Sequence, residues 1–255
     1  MSIVKFAIIS DIHSNLEALQ AVLADIDLRR VEKIVCLGDV VGYGASPGPC
    51  LDLVMQRTVV SLCGNHDHAV FYEPTNFNAA AERACYWTRQ ALEEDADAET
   101  RNRRWRFLGN LPVRFALNDM LFVHASPRKP INEYLFPDDV YANPQKLLAN
   151  FERMDKTTCF VGHTHVPGVF VDDPYFEPPY EMDGGKYHIG EEKVIINVGS
   201  VGQPRDRDPR ASYVVVDETE IEFVRLEYDV AAAAARIRSN PNLDEFLGTR
   251  LFEGR

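Results

Sequence analysis

The sequence predicts an α/β protein built on parallel strands, with metal-binding side chains gathered at their carboxyl ends. Three observations lead there. Strand, helix, strand, helix and strand patterns follow one another from the start of the chain, which implies parallel pairing through right-handed crossovers. The strand patterns are short, apolar and rich in β-branched residues, as in strands buried on both faces. Each runs into an Asp, His or Asn, and open α/β sheets place their sites at the carboxyl ends of strands.

The first strand pattern, Ile3-Val4-Lys5-Phe6-Ala7-Ile8-Ile9, ends at Asp11-Ile12-His13. A carboxylate and an imidazole two residues apart in an extended segment point the same way and can reach one metal ion. Ser14-Asn15-Leu16-Glu17 then fits a capping box with Ser14 as N-cap. Leu16, Leu19, Leu23 and Ile26 follow at helical spacing, predicting a helix to about Arg30. A second strand, Lys33 to Leu37, delivers Gly38-Asp39, and Pro47 opens the next helix. A third strand, Thr58 to Cys63, delivers the polar loop Gly64-Asn65-His66-Asp67.

From 76 to 109, apolar and aromatic residues are spaced helically among many charges, predicting two helices divided near Asp95-Ala96-Asp97. This helical insertion either covers the core or forms a cap that helps choose a substrate. Val113 to Leu117 and Met120 to Val123 read as a hairpin that ends in His124. An irregular loop from Ala125 to Pro137 and a helix from Pro144 to Met154 lead to a strand, Thr157 to Val161, and to Gly162-His163-Thr164-His165. Asp172 to Gly185, rich in Pro, Asp and Gly, reads as an exposed loop. A strand from Val194 to Asn197, a hairpin over Ala211–Val216 and Glu220–Leu226, and a helix through Ala231 to Ile237 follow. The segment after Pro241 reads as a short helix or a partly ordered tail.

With 255 residues and 45% hydrophobic content, the chain can bury one large core. No repeat or linker divides it, so residues 1–255 read as one domain. No run is long enough to span a membrane, and the N-terminus shows no secretion signal. The five cysteines lack paired zinc-type spacing, and three (Cys36, Cys63, Cys159) sit in apolar runs as buried thiols would. A cytoplasmic location follows as the expectation. A net charge of −12 disfavours a general affinity for long nucleic acid. It permits phosphate chemistry, because bound metal ions invert the local field.

Five of the seven histidines fall in the strand-end stretches: His13, His66, His124, His163 and His165. A lone Asp-x-His often only caps a helix, and an isolated His is more often a hydrogen-bonded core residue than a ligand. Five histidines gathered beside Asp11, Asp39 and Asn65 are a different matter. Imidazole, carboxylate and amide oxygen together suit Mn, Fe or Zn better than a structural zinc site, which would favour cysteine. His68 and His188 lack such placement. The guest of a pocket holding divalent cations is a phosphate.

These stretches, in this order and over roughly residues 3 to 226, resemble the calcineurin-like metallophosphoesterase superfamily. Gly38-Asp39-Val40-Val41-Gly42-Tyr43-Gly44 and Ser126-Pro127-Arg128 further resemble a small bacterial branch labelled phosphodiesterase or diadenosine-tetraphosphatase-like. The resemblance implies a four-layer α/β/β/α sandwich with two packed mixed sheets. It also implies two divalent transition-metal ions per chain, with Mn, Fe, Zn, Ni and Co as candidates. Asp11, His13, Asp39 and His165 would hold the first ion. Asp39, Asn65, His124 and His163 would hold the second, with Asp39 bridging. A metal-bridging hydroxide would attack phosphorus in line with the leaving oxygen. His66 would sit near that oxygen, as general acid or as donor to the developing charge; the alternative for it is a loop-fixing hydrogen bond.

In the protein serine/threonine phosphatases the second motif continues as Gly-Asp-x-x-Asp-Arg-Gly, whereas Gly42 and Tyr43 stand in those places here. The missing carboxylate and arginine argue against a phosphoprotein substrate. Arg128 and Arg205 are candidates for the missing phosphate clamp, or else surface residues. The expected substrate is a small phosphodiester, nucleotide-like phosphoanhydride or phosphomonoester. The competing reading is a non-catalytic interaction scaffold on the same fold, disfavoured by the full set of expected ligands. A nuclease on long DNA is disfavoured by the acidic balance.

Overall fold

The computed structural model describes residues 5–217 and 219–255; Ile3 and Val4 of the first predicted strand lie outside the described residues. The opening half alternates as the apolar runs require. Strand β1 (Phe6–Ile9), helix α1 (Leu16–Leu28), β2 (Lys33–Cys36), α2 (Pro47–Arg57) and β3 (Val60–Ser61) lead into α3 (Asn65–Phe71). Helices α4 (Ala79–Glu93) and α5 (Ala98–Gly109) meet at Asp97, whose carboxylate caps α5 by accepting the Glu99 and Thr100 N–H groups. The hairpin β4 (Arg114–Leu117) and β5 (Met120–Val123) is followed by α6 (Asp139–Ala142), α7 (Pro144–Arg153) and β6 (Thr158–Val161). Strands β7 (Gly168–Val171), β8 (Tyr175–Glu177), β9 (Lys186–His188), β10 (Val194–Asn197), β11 (Ala211–Val216) and β12 (Glu220–Leu226) come next. Helices α8 (Val230–Arg238) and α9 (Glu245–Thr249) and a 3-10 turn at Arg250–Phe252 close the chain.

The twelve strands of the described residues form two mixed sheets, in orders β3-β2-β1-β11-β12-β9 and β4-β5-β6-β10-β7-β8. As predicted, β1, β2 and β3 pair in parallel; β11 then joins β1 antiparallel. The period of two along each strand builds the layers. Phe6 and Ile8 of β1 face the second sheet, where they share a core with Phe122, Phe160 and Ile196. Ala7 and Ile9 face the other way, into a core with Leu19, Ile26, Leu51 and Val54 of α1 and α2. On the far side, Leu121, Cys159 and Ile195 pack against Leu147 and Phe151 of α7. The result is the four-layer α/β/β/α sandwich. Phe122 stacks on Phe160 at 5.2 Å in the middle layer; removing so large a buried ring costs about 3–5 kcal/mol.

Several local expectations need correction. The cap of α1 is Asn15, whose side chain accepts the Ala18 N–H, while Ser14 takes a left-handed φ of 55° one residue earlier. The predicted loop Gly64-Asn65-His66-Asp67 opens a helix instead, α3 starting at Asn65. The predicted loop from Asp172 to Gly185 contains β8, which adds an edge strand to the second sheet through Val171↔Tyr175 pairing. Of the two readings of the segment after Pro241 the short helix is the one found, α9, and Leu243, Leu247 and Leu251 form a core with Tyr43, Ala81 and Ala84.

Candidate metal centre

The polar residues at the ends of β1, β2, β5 and β6, with those at the start of α3, converge on one buried cluster. Its backbone is unusual. Asp11, His13, Asp39, His163 and His165 all take φ between 49° and 66°. Non-glycine residues seldom hold this left-handed region, which costs roughly 1–2 kcal/mol each. Cross-loop hydrogen bonds hold them there: Asp11 N–H donates to Gly38 O (3.0 Å) and His13 N–H to Asp39 O (2.9 Å). Glycine is required where the loops meet. A Cβ on Gly64 would lie 2.0 Å from Asp39 Oδ1, and one on Gly162 would lie 2.3 Å from Asp11 Oδ2.

Asp11, His13 and His165 form one group of potential ligands, and Asp39, His124 and His163 form a second. In the first, His165 Nε2 lies 3.1 Å from Asp11 Oδ1 and 3.2 Å from His13 Nε2. In the second, His124 Nε2 lies 3.4 Å from Asp39 Oδ2, 3.2 Å from His163 Nδ1 and 3.2 Å from Asn65 Oδ1. The same Asp39 Oδ2 is 3.6 Å from His13 Nε2, so it stands between the groups. His66 lies close to His13 and Asp39 as a third neighbour.

These side chains fit divalent cations. His13 Nδ1 is 3.2 Å from Val41 O and His165 Nδ1 is 2.5 Å from Gln203 O. A carbonyl only accepts, so each Nδ1 carries the proton, and the two Nε2 lone pairs of the neutral rings face each other. Lone pairs at 3.2 Å repel unless a cation lies between them. Ligands bonded to a metal at about 2.0–2.1 Å sit roughly 3.0–3.4 Å from one another, which matches these spacings. Asp11 Oδ1 is buried with no hydrogen-bond partner among the described residues. Burial pushes the two carboxyls up, but neighbouring imidazoles outweigh it: His165 holds Asp11, and His124 holds Asp39, below the usual carboxylate range. Burial, reinforced by the charge of His124, pushes His163 down to about 3. Burial also lowers His124, but Asp39 outweighs it and raises that imidazole to about 9. The two carboxylates and the imidazoles of His13, His163 and His165 are already inclined to shed protons, and His124 is the one ligand that must give up a proton to a cation. Burial raises all five thiols, so the cysteines stay protonated and are not among the donors.

Around the cluster, His66 is enclosed by Tyr43 (ring centroids 4.3 Å apart), His13 (4.7 Å) and Phe77 (4.7 Å). A Cβ on Gly42 would lie 2.4 Å from His66 Nδ1, so the ring's position depends on glycine there. Arg205 lies over Tyr43, its guanidinium carbon 5.7 Å from the ring centroid; Nη2 donates to Gln203 Oε1 at 2.8 Å, and Nε is buried without a partner among the described residues. Arg128 is held by Glu133, Nε donating to Oε1 at 3.2 Å. His188 is 80% exposed and His68 is also exposed, both away from the cluster.

Sequence reasoning missed the residues that fasten the loops. Asn197 Nδ2 donates to Gly162 O (2.8 Å) and Thr164 Oγ1 (2.7 Å), and Ser200 Oγ donates to Asp11 O (2.8 Å). Asp67 accepts four backbone N–H groups from the loops around Asp39 and Gly64. Their only sequence signal was position beside a strand end.

A family model for the calcineurin-like phosphoesterase superfamily domain matches residues 4–220. The chain belongs to that superfamily. It is 43% identical over 262 residues to a protein of Methanocaldococcus jannaschii, covering 98% of each chain. A crystal structure of a metallophosphoesterase from Sphaerobacter thermophilus superposes with a TM-score of 0.84 at 39% identity, covering 100% of both chains. A Pyrococcus horikoshii structure shares the fold at a TM-score of 0.77 and 18% identity, covering 98% of each. Membership of a metal-dependent superfamily and the Asp/His groups agree, and both support a hydrolase of phosphate esters.

Proposed function

We propose that the protein is a dinuclear-metal phosphoesterase acting on a small phosphodiester, nucleotide-like phosphoanhydride or phosphomonoester. The observation that carries this reading is the pair of donor groups with Asp39 Oδ2 standing between them, each with imidazole nitrogens about 3.2 Å apart. Asp11, His13, Asp39 and His165 would hold one transition-metal ion, and Asp39, Asn65, His124 and His163 the other. Bound there, two such ions lower the pKa of water and neutralise phosphoryl oxygens. The chain's own residues supply the rest. Arg205 offers its guanidinium group, steadied by Gln203 and Tyr43, to a phosphate. His66 offers a ring N–H toward the leaving oxygen. Arg128, taken up by Glu133, supports the loop and stands second to Arg205 as a phosphate contact.

We assign the whole chain to one working domain, with α4 and α5 contributing to the substrate pocket. Phe77 packs on His66, and Cys85 Sγ lies 3.8 Å from His66 Nδ1, which ties that helical segment to the cluster. Five buried free thiols support a reducing compartment, so we place the protein in the cytoplasm. No helix among the described residues is long and apolar enough to cross a membrane.

The test is elemental analysis after reconstitution with Mn, Ni, Co, Zn or Fe, paired with assays on a panel of phosphate esters. Two ions per chain and hydrolysis abolished by chelation are the expected result. One ion or none, with activity unaffected by chelator, overturns the reading and returns the scaffold alternative.

A further inference from the structure

Beside the metal centre, a groove of about 870 Å³ begins at Arg205 and at Pro167, two residues after His165, and reaches the edge strand β8. Its three tyrosines stand in water. Tyr141 is 81% exposed, Tyr180 84% and Tyr175 44%. Tyr175 is fixed, its hydroxyl donating to Glu181 at 2.6 Å. A second run of rings leads out from the cluster itself: Tyr134 stacks on His163 with centroids 3.9 Å apart, and Phe136 lies parallel to Tyr134 at 5.3 Å. Exposed rings gain nothing from the protein's own core, yet here they collect on one side of a candidate active site.

The groove carries four arginines and four carboxylates, so it is their placement that points to an anion. Arg210 and Arg225 are neutralised by Asp208 and Asp206. Arg205 and Arg207 also border the groove, and neither has a carboxylate partner among the described residues. The carboxylates Asp138 and Glu181, unpaired with a cation among the described residues, lie at the tyrosine end, by Tyr141 and Tyr175. Arg205 stands at the end next to His165, an order that matches a flat base on the rings and its phosphate at Arg205.

We propose that this groove binds the nucleoside portion of the substrate, its base stacked on Tyr141 or Tyr180 and its phosphate held at Arg205. The proposal rests on the phosphoesterase reading and narrows its substrate to nucleoside phosphate esters. In the hydrolysis, the oxygen of water bonds to phosphorus and the bond from phosphorus to the departing oxygen breaks. The proton that water loses is taken up by that oxygen or by solvent. A protein partner is disfavoured because the groove adjoins His165 and Arg205 rather than lying on a separate face.

The experiment compares two diesters of equal charge and equal leaving group on metal-reconstituted protein: thymidine 5′-(p-nitrophenyl) phosphate and ethyl p-nitrophenyl phosphate. The nucleoside ester should show kcat/KM about tenfold higher or more, through KM, as expected for one stacked base. Tyr141→Ala combined with Tyr180→Ala should remove that advantage while turnover of the ethyl ester stays unchanged. On metal-free protein, calorimetry should show adenosine monophosphate binding more tightly than ribose 5-phosphate, a difference lost in the same variant. Equal kcat/KM for the two esters in the native chain overturns the proposal, as does a loss that falls equally on both. A change of oligomeric mass in the double variant with unaltered ester preference also overturns it, assigning the groove to a second copy. Absence of turnover with either ester defeats the phosphoesterase reading instead, and the calorimetry then decides the groove independently.

Discussion

Asp67 Oδ2 accepts the backbone N–H of Asp39 at 2.7 Å, across 28 residues of sequence. The same oxygen accepts Gly64 N–H at 3.0 Å, and Oδ1 accepts Val40 and Val41 N–H at 2.9 and 3.2 Å. Asp39 Oδ1 in turn accepts the His66 N–H at 2.8 Å. Two strand-end loops are therefore laced together by two buried carboxylates. Only one of these, Asp39, presents its other oxygen to the histidines.

Asp67→Asn tests the lacing. An amide has a single acceptor oxygen, so its NH₂ must face two of the four backbone donors. Each buried donor left without a partner costs about 1–3 kcal/mol. Urea unfolding of the metal-free protein should thus show a loss of roughly 2–5 kcal/mol, and metal affinity should fall with it. Unaltered stability would mean that the loops are held by other contacts. Asp39→Asn should instead leave stability less affected and remove metal from both groups, since it deletes the charge between them.

The strand ends were legible because each apolar run is short and stops at a polar residue, so the site's position follows from period and topology. The pairing of β1 with β2 and the hairpin before His124 needed nothing more. What escaped has physical causes. Ser14 and Asn15 are equally good caps on paper; the left-handed turn at Ser14 moves the helix start one residue on. Asn65 and His66 look like loop residues because ligand chemistry, not helix propensity, chose them, and α3 starts there with Asp67 accepting the N–H of its capping residue Gly64. The short edge strand β8 is held by Phe170↔Phe176 pairing in a segment whose prolines and aspartates signal a loop. Asp67, Asn197 and Ser200 bind backbone groups far off in sequence, and such bonds leave no spacing to read.

Arg205 is predicted to act on binding. Its Nη2 is anchored by Gln203 and its ring contact with Tyr43 fixes the guanidinium plane, leaving Nε unused. Lysine can supply charge but neither the fork nor the stacking. Arg205→Lys should raise KM about tenfold or more with metal content unchanged. If kinetics are the same for Arg205→Lys and Arg205→Ala as for the native chain, the residue has no part in substrate binding.

Arg128 makes the opposite prediction, a pH-dependent effect on stability. Burial raises the Glu133 carboxyl, but hydrogen bonds from Arg128, Asn150 and Ser126 outweigh it and hold it down to about 2, against an ordinary 4.5. A depressed folded-state pKa contributes stability that is full above pH 4.5 and is lost as pH falls toward 2. Because Arg128 is partly in water, the pair is worth roughly 1–2 kcal/mol rather than the full shift. Metal-free native protein and Arg128→Ala should differ by about that much at pH 6, and the gap should narrow at pH 3.5. A gap independent of pH would assign the loss to packing instead of charge.

His66 separates proton donation from hydrogen bonding. Burial pushes its imidazole down to about 4, with the charge of Asp39 opposing and that of Arg205 adding to the effect. Cations bound beside it would lower it further, so at neutral pH the ring is uncharged and offers an N–H, not a spare proton. A donor of that kind stabilises charge developing on the leaving oxygen and matters most when that oxygen leaves poorly. p-Nitrophenolate leaves readily; an alkoxide or ribose oxygen does not. His66→Ala should therefore lose about 10²- to 10³-fold in kcat on an alkyl or nucleoside phosphodiester and less on bis-p-nitrophenyl phosphate. Metal content must be measured alongside, since Asn65 is the adjacent residue. His66→Asn keeps an N–H donor without any proton to give, and should recover part of the loss on the poor leaving group. If His66→Asn is as impaired as His66→Ala while both carry full metal, hydrogen-bond donation is the wrong role, and a charged general acid takes its place.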